Sequence, residues 1–226
     1  MAWTQWICFA IMLVVPYLLG GINTSIIVTK IKTGNDIRSM GSGNAGLTNT
    51  LRTQGKASSA IVLLGDVAKA VLAVLAVRLA FRFIGSVDTA EYSSEMKWVE
   101  YMAGFMAVVG HVFPIYYGFK GGKGVLAAIS AIFTLDWRSG VVLLGVFVIL
   151  VAITRYVSLG SCVSSGLFFI SAFVFGRVVD NDPAALINTL IALFMGGLII
   201  YMHRGNLSRL AHHTEKKLGE KTVGKQ

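Results

Sequence analysis

The chain has 226 residues, a net charge of +9 and a mean hydropathy of +0.70. Only 14% of its residues are charged and 55% are hydrophobic, whereas a soluble domain carries about 25% charged residues. Composition therefore excludes a water-facing globular class and predicts one compact domain in lipid, with no room for a second folded unit. The basic excess lies in loops between apolar runs, so nucleic acid is not an expected partner.

The first apolar run covers 3–29. No Lys or Arg precedes it and no small-residue cleavage site follows, so it is expected to stay as a helix. Further apolar runs cover 57–77, 99–117, 125–135, 141–153, 161–175 and 184–202. The fourth is much shorter than the roughly 20 residues that cross a bilayer, so it is either a separate short span or part of one joined to the fifth. Cytoplasmic loops retain Lys and Arg. Seven spans with an outside N-terminus put fourteen basic residues inside and five outside, with Lys69 in a span. Six spans reverse the bias to eight inside and ten outside. The expected fold is thus an all-α integral membrane protein of seven transmembrane helices, some short, with its C-terminus cytoplasmic. Asp88, Glu91, Glu95, Glu100, Asp180 and Asp182 fall in the outside connections. Cys8 and Cys162 sit in apolar runs and read as inert thiols. No metal-ligand spacing is present, and neither a metal nor a cofactor is expected.

The seven-span order gathers four polar loops on one face. The first holds Gly41, Ser42, Gly43, Asn44, Thr48, Asn49 and Arg52. Its glycines let backbone approach a ligand, its short side chains offer hydrogen bonds, and Arg52 offers a planar fork for phosphate oxygens. A solvated turn-rich loop explains it equally well. The second holds His111, then Lys120, Gly121, Gly122, Lys123 and Gly124 ahead of an apolar helix. Glycine N–H groups there can form an anion nest; plain positive anchoring explains the lysines but not the glycines. The third, residues 154–161, has hydroxyls at Ser158 and Ser161 that either cap the next helix or bind a ligand. The fourth runs from His203 through Asn206 and Arg209 to Glu215, and a basic membrane-proximal tail is often only an anchor. Asp66 and Lys69 share a helix face in the second span, as an ion pair or as the wall of a polar pocket.

Two motif matches fail. Residues 41–46 spell G-x-G-x-x-G, but membrane helices flank them where a dinucleotide fold needs a strand. Residues 118–124 have three residues between the first glycine and the Gly-Lys pair, where a P-loop has four. No His is followed by Asp five positions later, which removes the usual acyltransferase base.

Together, in order and spacing, Asp36-Ile37-Arg38 with 41–52, 110–114 with 119–125, 156–159 and 203–210 resemble the acyl-phosphate:glycerol-3-phosphate acyltransferases of bacterial phospholipid synthesis. The resemblance runs from about residue 19 to 215. It implies transfer of a fatty acyl group from acyl phosphate to the sn-1 hydroxyl of glycerol 3-phosphate, at a site facing the cytoplasm in a multi-pass bacterial inner-membrane protein. It implies membrane lipid around the site and a soluble enzyme that makes the acyl phosphate as a possible partner. By position it implies Ser42, His203 and Asn206 as catalytic. Gly43, Asn44, Thr48, Asn49, Arg52, Lys69, His111, Lys120, Gly121, Gly122, Lys123, Gly124, Ser158, Ser161, Arg209 and Glu215 become binding residues. The chain departs from the family at Gly20-Gly21-Ile22-Asn23, where Gly-Ser-Ile-Pro is usual, and at Ala70, Leu126-Ala127 and His213. The competing class is a membrane transporter of a phosphorylated metabolite.

Overall fold

The computed structural model describes residues 3–85 and 96–220. Asp88, Glu91, Glu95, Lys221 and Lys225 lie outside the described residues. Ten α-helices are described: α1 Trp3–Gly21, α2 Thr24–Thr33, α3 Leu47–Gln54, α4 Lys56–Leu79, α5 Trp98–Val112, α6 Val125–Leu135, α7 Trp137–Thr154, α8 Val157–Phe173, α9 Ala185–Met202 and α10 Arg204–Ala211. Turns of π-helix extend α4 and α8 through Ala80–Ile84 and Val174–Val179.

Six stretches among the described residues are long and apolar enough to cross a membrane: Trp3–Thr33, Lys56–Ile84, Trp98–Tyr117, Trp137–Thr154, Val157–Val179 and Ala185–Met202. The chain is a multi-pass, all-α membrane protein. The expected count of seven is corrected to six plus one short apolar helix, α6. At a rise of about 1.5 Å per residue, an 11-residue helix is about 17 Å long, against roughly 30 Å of hydrocarbon. It does not merge with α7. Asp136 is extended and caps α7, accepting from Arg138 N at 3.1 Å.

The first apolar run also breaks. Asn23 caps α2, its side-chain oxygen accepting from Ile26 N at 3.1 Å, and its amide donates to Ala45 O at 3.2 Å. Helices α1 and α5 touch backbone to backbone: a Cβ on Gly20 would lie 2.0 Å from Ala107 O, and one on Gly110 would lie 2.1 Å from Tyr17 O. The core fills the space between α4, α5, α6, α8 and α9, around Val74, Val108, Ile132, Phe168, Met195 and Ile199. Cys8 and Cys162 are buried, unpaired thiols.

One end of the bundle is closed by ion pairs. Arg78 bonds Glu100 through two nitrogens at 2.7 and 2.6 Å. Arg138 bridges Asp136 at 2.9 Å and Asp180 at 2.5 Å. The other end holds all four polar loops.

Candidate active site

Helices α3, α6 and α8 begin at the wall of one cavity, and their N-cap residues Gly46, Gly124 and Tyr156 make no side-chain cap bond. First-turn N–H groups have no intrahelical acceptor and carry the positive end of the helix dipole. Three such ends facing one space favour an anion there. The hydroxyls of the third loop do not cap α8. Ser158 donates to Glu215 at 2.9 Å and Ser161 to Val157 O at 2.8 Å.

The first loop is held in place by buried Asn49. Its carbonyl accepts from Ser42 N at 2.9 Å, and its amide donates to Met40 O at 3.0 Å and Ile37 O at 3.4 Å. With its donors and acceptor spent on backbone, Asn49 shapes the turn. Ser42, Gly43, Asn44, Thr48 and Arg52 line the cavity. The structure gives the Arg52 guanidinium no hydrogen-bond or ion-pair partner among the described residues. Arg38 ties this loop to the second, donating to Tyr117 O at 2.8 Å and Lys120 O at 3.0 Å. The Arg38 guanidinium beside Asp36 holds that carboxyl below the usual range.

In the second loop the chain doubles back along the end of α5. Gly121 N donates to Val112 O at 3.0 Å and Gly122 N to His111 O at 3.1 Å. Those two N–H groups are therefore not the anion nest expected of them. A Cβ on Gly121 would lie 2.0 Å from His111 O, and one on Gly122 would lie 2.2 Å from His111 Nε2 and 2.5 Å from Ala45 O. The glycines are there for close packing, and Lys123, which follows them, lines the cavity. Lys120 is exposed and lies outside the cavity wall. Burial pushes the Lys123 ammonium down to about 8, against the opposing pull of Glu215.

The tail closes the site. Glu215 accepts from Asn206 Nδ2 at 2.6 Å, Ser158 Oγ at 2.9 Å and Arg209 Nε at 2.7 Å. Burial pushes its carboxyl up, and those three hydrogen bonds outweigh burial, leaving it below the ordinary range. With its amide held by Glu215, Asn206 turns its carbonyl oxygen to Lys123, which donates to it. His213 adopts φ +56°, a left-handed conformation that favours glycine. His203 is buried, and its Nδ1 lies 2.8 Å from Ile199 O. A carbonyl only accepts, so Nδ1 carries the proton and Nε2 keeps a lone pair. Burial holds this imidazole down to about 4, neutral at pH 7.

The cavity measures about 830 Å³. It collects Ser42, Gly43, Asn44, Thr48, Asn49, Arg52, His111, Lys123, Gly124, Ser158, Ser161, His203, Asn206, Arg209 and Glu215. Lys69, Lys120, Gly121 and Gly122 are not in its wall. Lys69 is buried against Asp66 at 2.9 Å. Several wall residues went unread in the sequence. Asp66 is not one of them: its sequence reading left a pocket wall open, it lines the cavity, and its Oδ2 accepts from no described residue. Ser164 and Ser165 continue the face of Ser158 and Ser161 by one turn, a helical spacing visible in the sequence. Leu126, Ile129, Ile132, Leu143, Leu144 and Phe147 form an apolar lobe between α6 and α7. Among the described residues no group of His, Cys, Asp and Glu could hold a metal.

Fold and cavity define a multi-pass membrane protein with a basic polar chamber that opens into an apolar one. A family model described as glycerol-3-phosphate acyltransferase matches residues 10–213. The glycerol-3-phosphate acyltransferase of Clostridioides difficile (strain 630) is 44% identical over 217 residues, covering 94% of this chain and 97% of that protein. That of Trichormus variabilis is 40% identical over 220 residues, with coverages of 95% and 93%. A crystal structure of PlsY, an integral membrane glycerol 3-phosphate acyltransferase, in its glycerol 3-phosphate form matches with a TM-score of 0.76 at 34% identity, covering 94% and 96% of the two chains. Its lysophosphatidic acid form matches at 0.72 and 32% identity. The chain belongs to the glycerol-3-phosphate acyltransferase family.

Proposed function

We propose that this chain transfers a fatty acyl group from acyl phosphate to the sn-1 hydroxyl of glycerol 3-phosphate, giving 1-acylglycerol 3-phosphate and phosphate. The observation that carries this reading is the two-part cavity. Three uncapped helix N-termini, Arg52 and Lys123 suit phosphate groups. The lobe of Leu126, Ile129, Ile132 and Leu143 suits the acyl chain. A donor that is only chain and phosphate fits both parts.

Two anions must lie close together before reaction, and cations with dipole ends offset their repulsion. Holding the hydroxyl against the acyl carbonyl lowers the barrier by positioning, and fixed donors stabilise the charge that develops. The sn-1 oxygen bonds the acyl carbon, the carbon–oxygen bond to phosphate breaks, and phosphate leaves with that electron pair. His203 Nε2 accepts a hydrogen bond from the attacking hydroxyl and aims it. An imidazole held near 4 is a weak place to leave a proton. Cleavage of the carbon–oxygen bond leaves phosphate as the trianion, a far stronger base than that imidazole, so the proton passes to the leaving phosphate. Lys123, Asn206, Ser158 and Glu215 work as one connected unit that holds the cation in place.

The same reading places the polar chamber at the cytoplasmic face of a bacterial inner membrane and residue 3 on the outside. A soluble enzyme that makes acyl phosphate would deliver it from the cytoplasm. Cysteine labelling at both ends tests the topology: both on one side contradicts it. The activity is tested with purified protein, glycerol 3-phosphate and either donor. Ester from acyl phosphate and none from acyl-CoA is expected. Comparable turnover with both donors would sink the donor assignment.

A further inference from the structure

Lys69 has three partners. Its Nζ lies 2.9 Å from Asp66 Oδ1, 2.9 Å from Ile22 O and 2.8 Å from His111 Nδ1. Ile22 O is available because α1 ends at Gly21 and α2 starts only after Asn23. An ammonium has three N–H donors and no lone pair, so each partner must accept one. The carboxylate and the carbonyl can do nothing else. His111 Nδ1 therefore offers a lone pair to Lys69, and the ring proton of the neutral imidazole sits on Nε2.

Nε2 is placed where it can be used. His111 is 3% exposed, yet it lines the cavity. No described residue accepts from Nε2, and that atom is not among the sealed, unpartnered ones. It packs against Gly122, where an added Cβ would lie 2.2 Å from it and 2.5 Å from Ala45 O. A fixed N–H thus points into the chamber that also holds Arg52 and Lys123.

We propose that Asp66 and Lys69 are positioning residues that lock His111 as an Nε2–H donor, and that this N–H donates to a phosphate oxygen of bound substrate. The identity of the oxygen rests on the acyl-transfer reading; the lock does not. Lys69, outside the cavity wall, acts through His111 and touches no ligand. The donor is neutral, so it orients phosphate without adding charge to the site.

The lock is read without substrate. In protein labelled with 15N-histidine, NMR in detergent should show His111 with its proton on Nε2 and a bare Nδ1, the signal being assigned by its loss in His111→Gln. A proton on Nδ1 would overturn the proposal. Steady-state kinetics test the donor. His111→Gln, which keeps an N–H near Nε2, should stay within about tenfold of the parent. His111→Asn and His111→Ala should lose about tenfold to a hundredfold, the range for a hydrogen bond to a charged group. The loss should come as a raised KM for glycerol 3-phosphate or for acyl phosphate, whichever phosphate His111 holds. Unchanged KM for both, or equal rates for His111→Asn and His111→Gln, would contradict the donor role. Lys69→Met alone would leave Asp66 buried without its cation, so it is paired with Asp66→Asn to remove both charges. That double variant should lose as much as His111→Ala, and adding His111→Ala should cost nothing more. Additive losses would refute the coupling. If the parent protein makes no ester at all, the acyl-transfer reading fails instead, and the NMR result still decides the lock.

Discussion

Two pairs of cations, one pair at each end of the bundle, are held in opposite ways. At the closed end, Arg78 spends two nitrogens on Glu100, and Arg138 is shared between Asp136 and Asp180. At the cavity end Arg52 has no partner among the described residues, and Lys123 has an amide oxygen in place of a carboxylate. Helix N-termini there are left uncapped as well. Charge satisfied by protein stabilises a fold; charge left open costs stability and is kept where a ligand completes it. The glycine-rich loops differ in the same sense, since they let backbone and imidazole crowd together around a space that no side chain fills.

Substitutions can break this contrast. The largest effect is expected for Lys123→Ala, which removes a half-buried cation from the meeting place of two anions. Acyl transfer should fall by about a hundredfold or more, since one charge-assisted hydrogen bond is worth about 1.5–3 kcal/mol and two substrates depend on it. Initial rates on matched amounts of monodisperse protein decide this, and normal turnover would make the second loop a mere anchor. Gly122→Ala comes next. Its Cβ would collide with His111 Nε2 and Ala45 O, and displacing either by about 1 Å is expected to cost on the order of a hundredfold or less. Arg52→Lys should recover little of the loss seen in Arg52→Ala, because an ammonium cannot form the two-pronged contact.

A gentler effect is expected with pH. The Lys123 value of about 8 lies below the ordinary lysine range, so the charged form is lost as pH rises through it. The ratio kcat/KM reports the free enzyme, and it should be level below about 8 and decline above. An active Lys123→Arg variant should lack that decline; an unchanged alkaline limb would assign it elsewhere. The smallest effect is expected for Arg177→Ala, exposed at the closed end, which should keep activity within about twofold.

Apolar run lengths made the helices legible, and the segment at 125–135 coincides with α6. The span count went astray because it rested on the charge of the loops, and loop charge cannot say whether an 11-residue apolar helix counts as a crossing. The break at Asn23 lies inside a continuous apolar run, where a capping side chain carries no hydropathy signal. Ser42, Arg52, Lys123, Ser158, His203, Asn206 and Glu215 were picked out by the family resemblance, since the loops by themselves also read as turns, caps and anchors, and the structure gathers all seven around one cavity. Gly121 and Gly122 misled because a glycine reads the same whether it faces a ligand or a neighbouring backbone. Asn49 lines the cavity, while its hydrogen bonds turn inward to its own loop. Lys69 was ambiguous until three acceptors were seen to exhaust its protons. The apolar lobe was invisible, since residues lining a chamber and residues facing lipid share one composition.

The contrast between the two ends is tested most directly by measuring kcat/KM and thermal stability on one pair of variants, Arg52→Ala and Arg78→Ala. Arg78 is partly exposed while Glu100 is buried, so its removal should cost roughly 2 kcal/mol, below the 3–5 kcal/mol of a fully buried pair. The account predicts a crossed result. Arg52→Ala loses acyl transfer by at least about tenfold at an unchanged melting temperature, while Arg78→Ala melts earlier and keeps the turnover of its folded fraction. Parallel losses of stability and activity in both variants would contradict it.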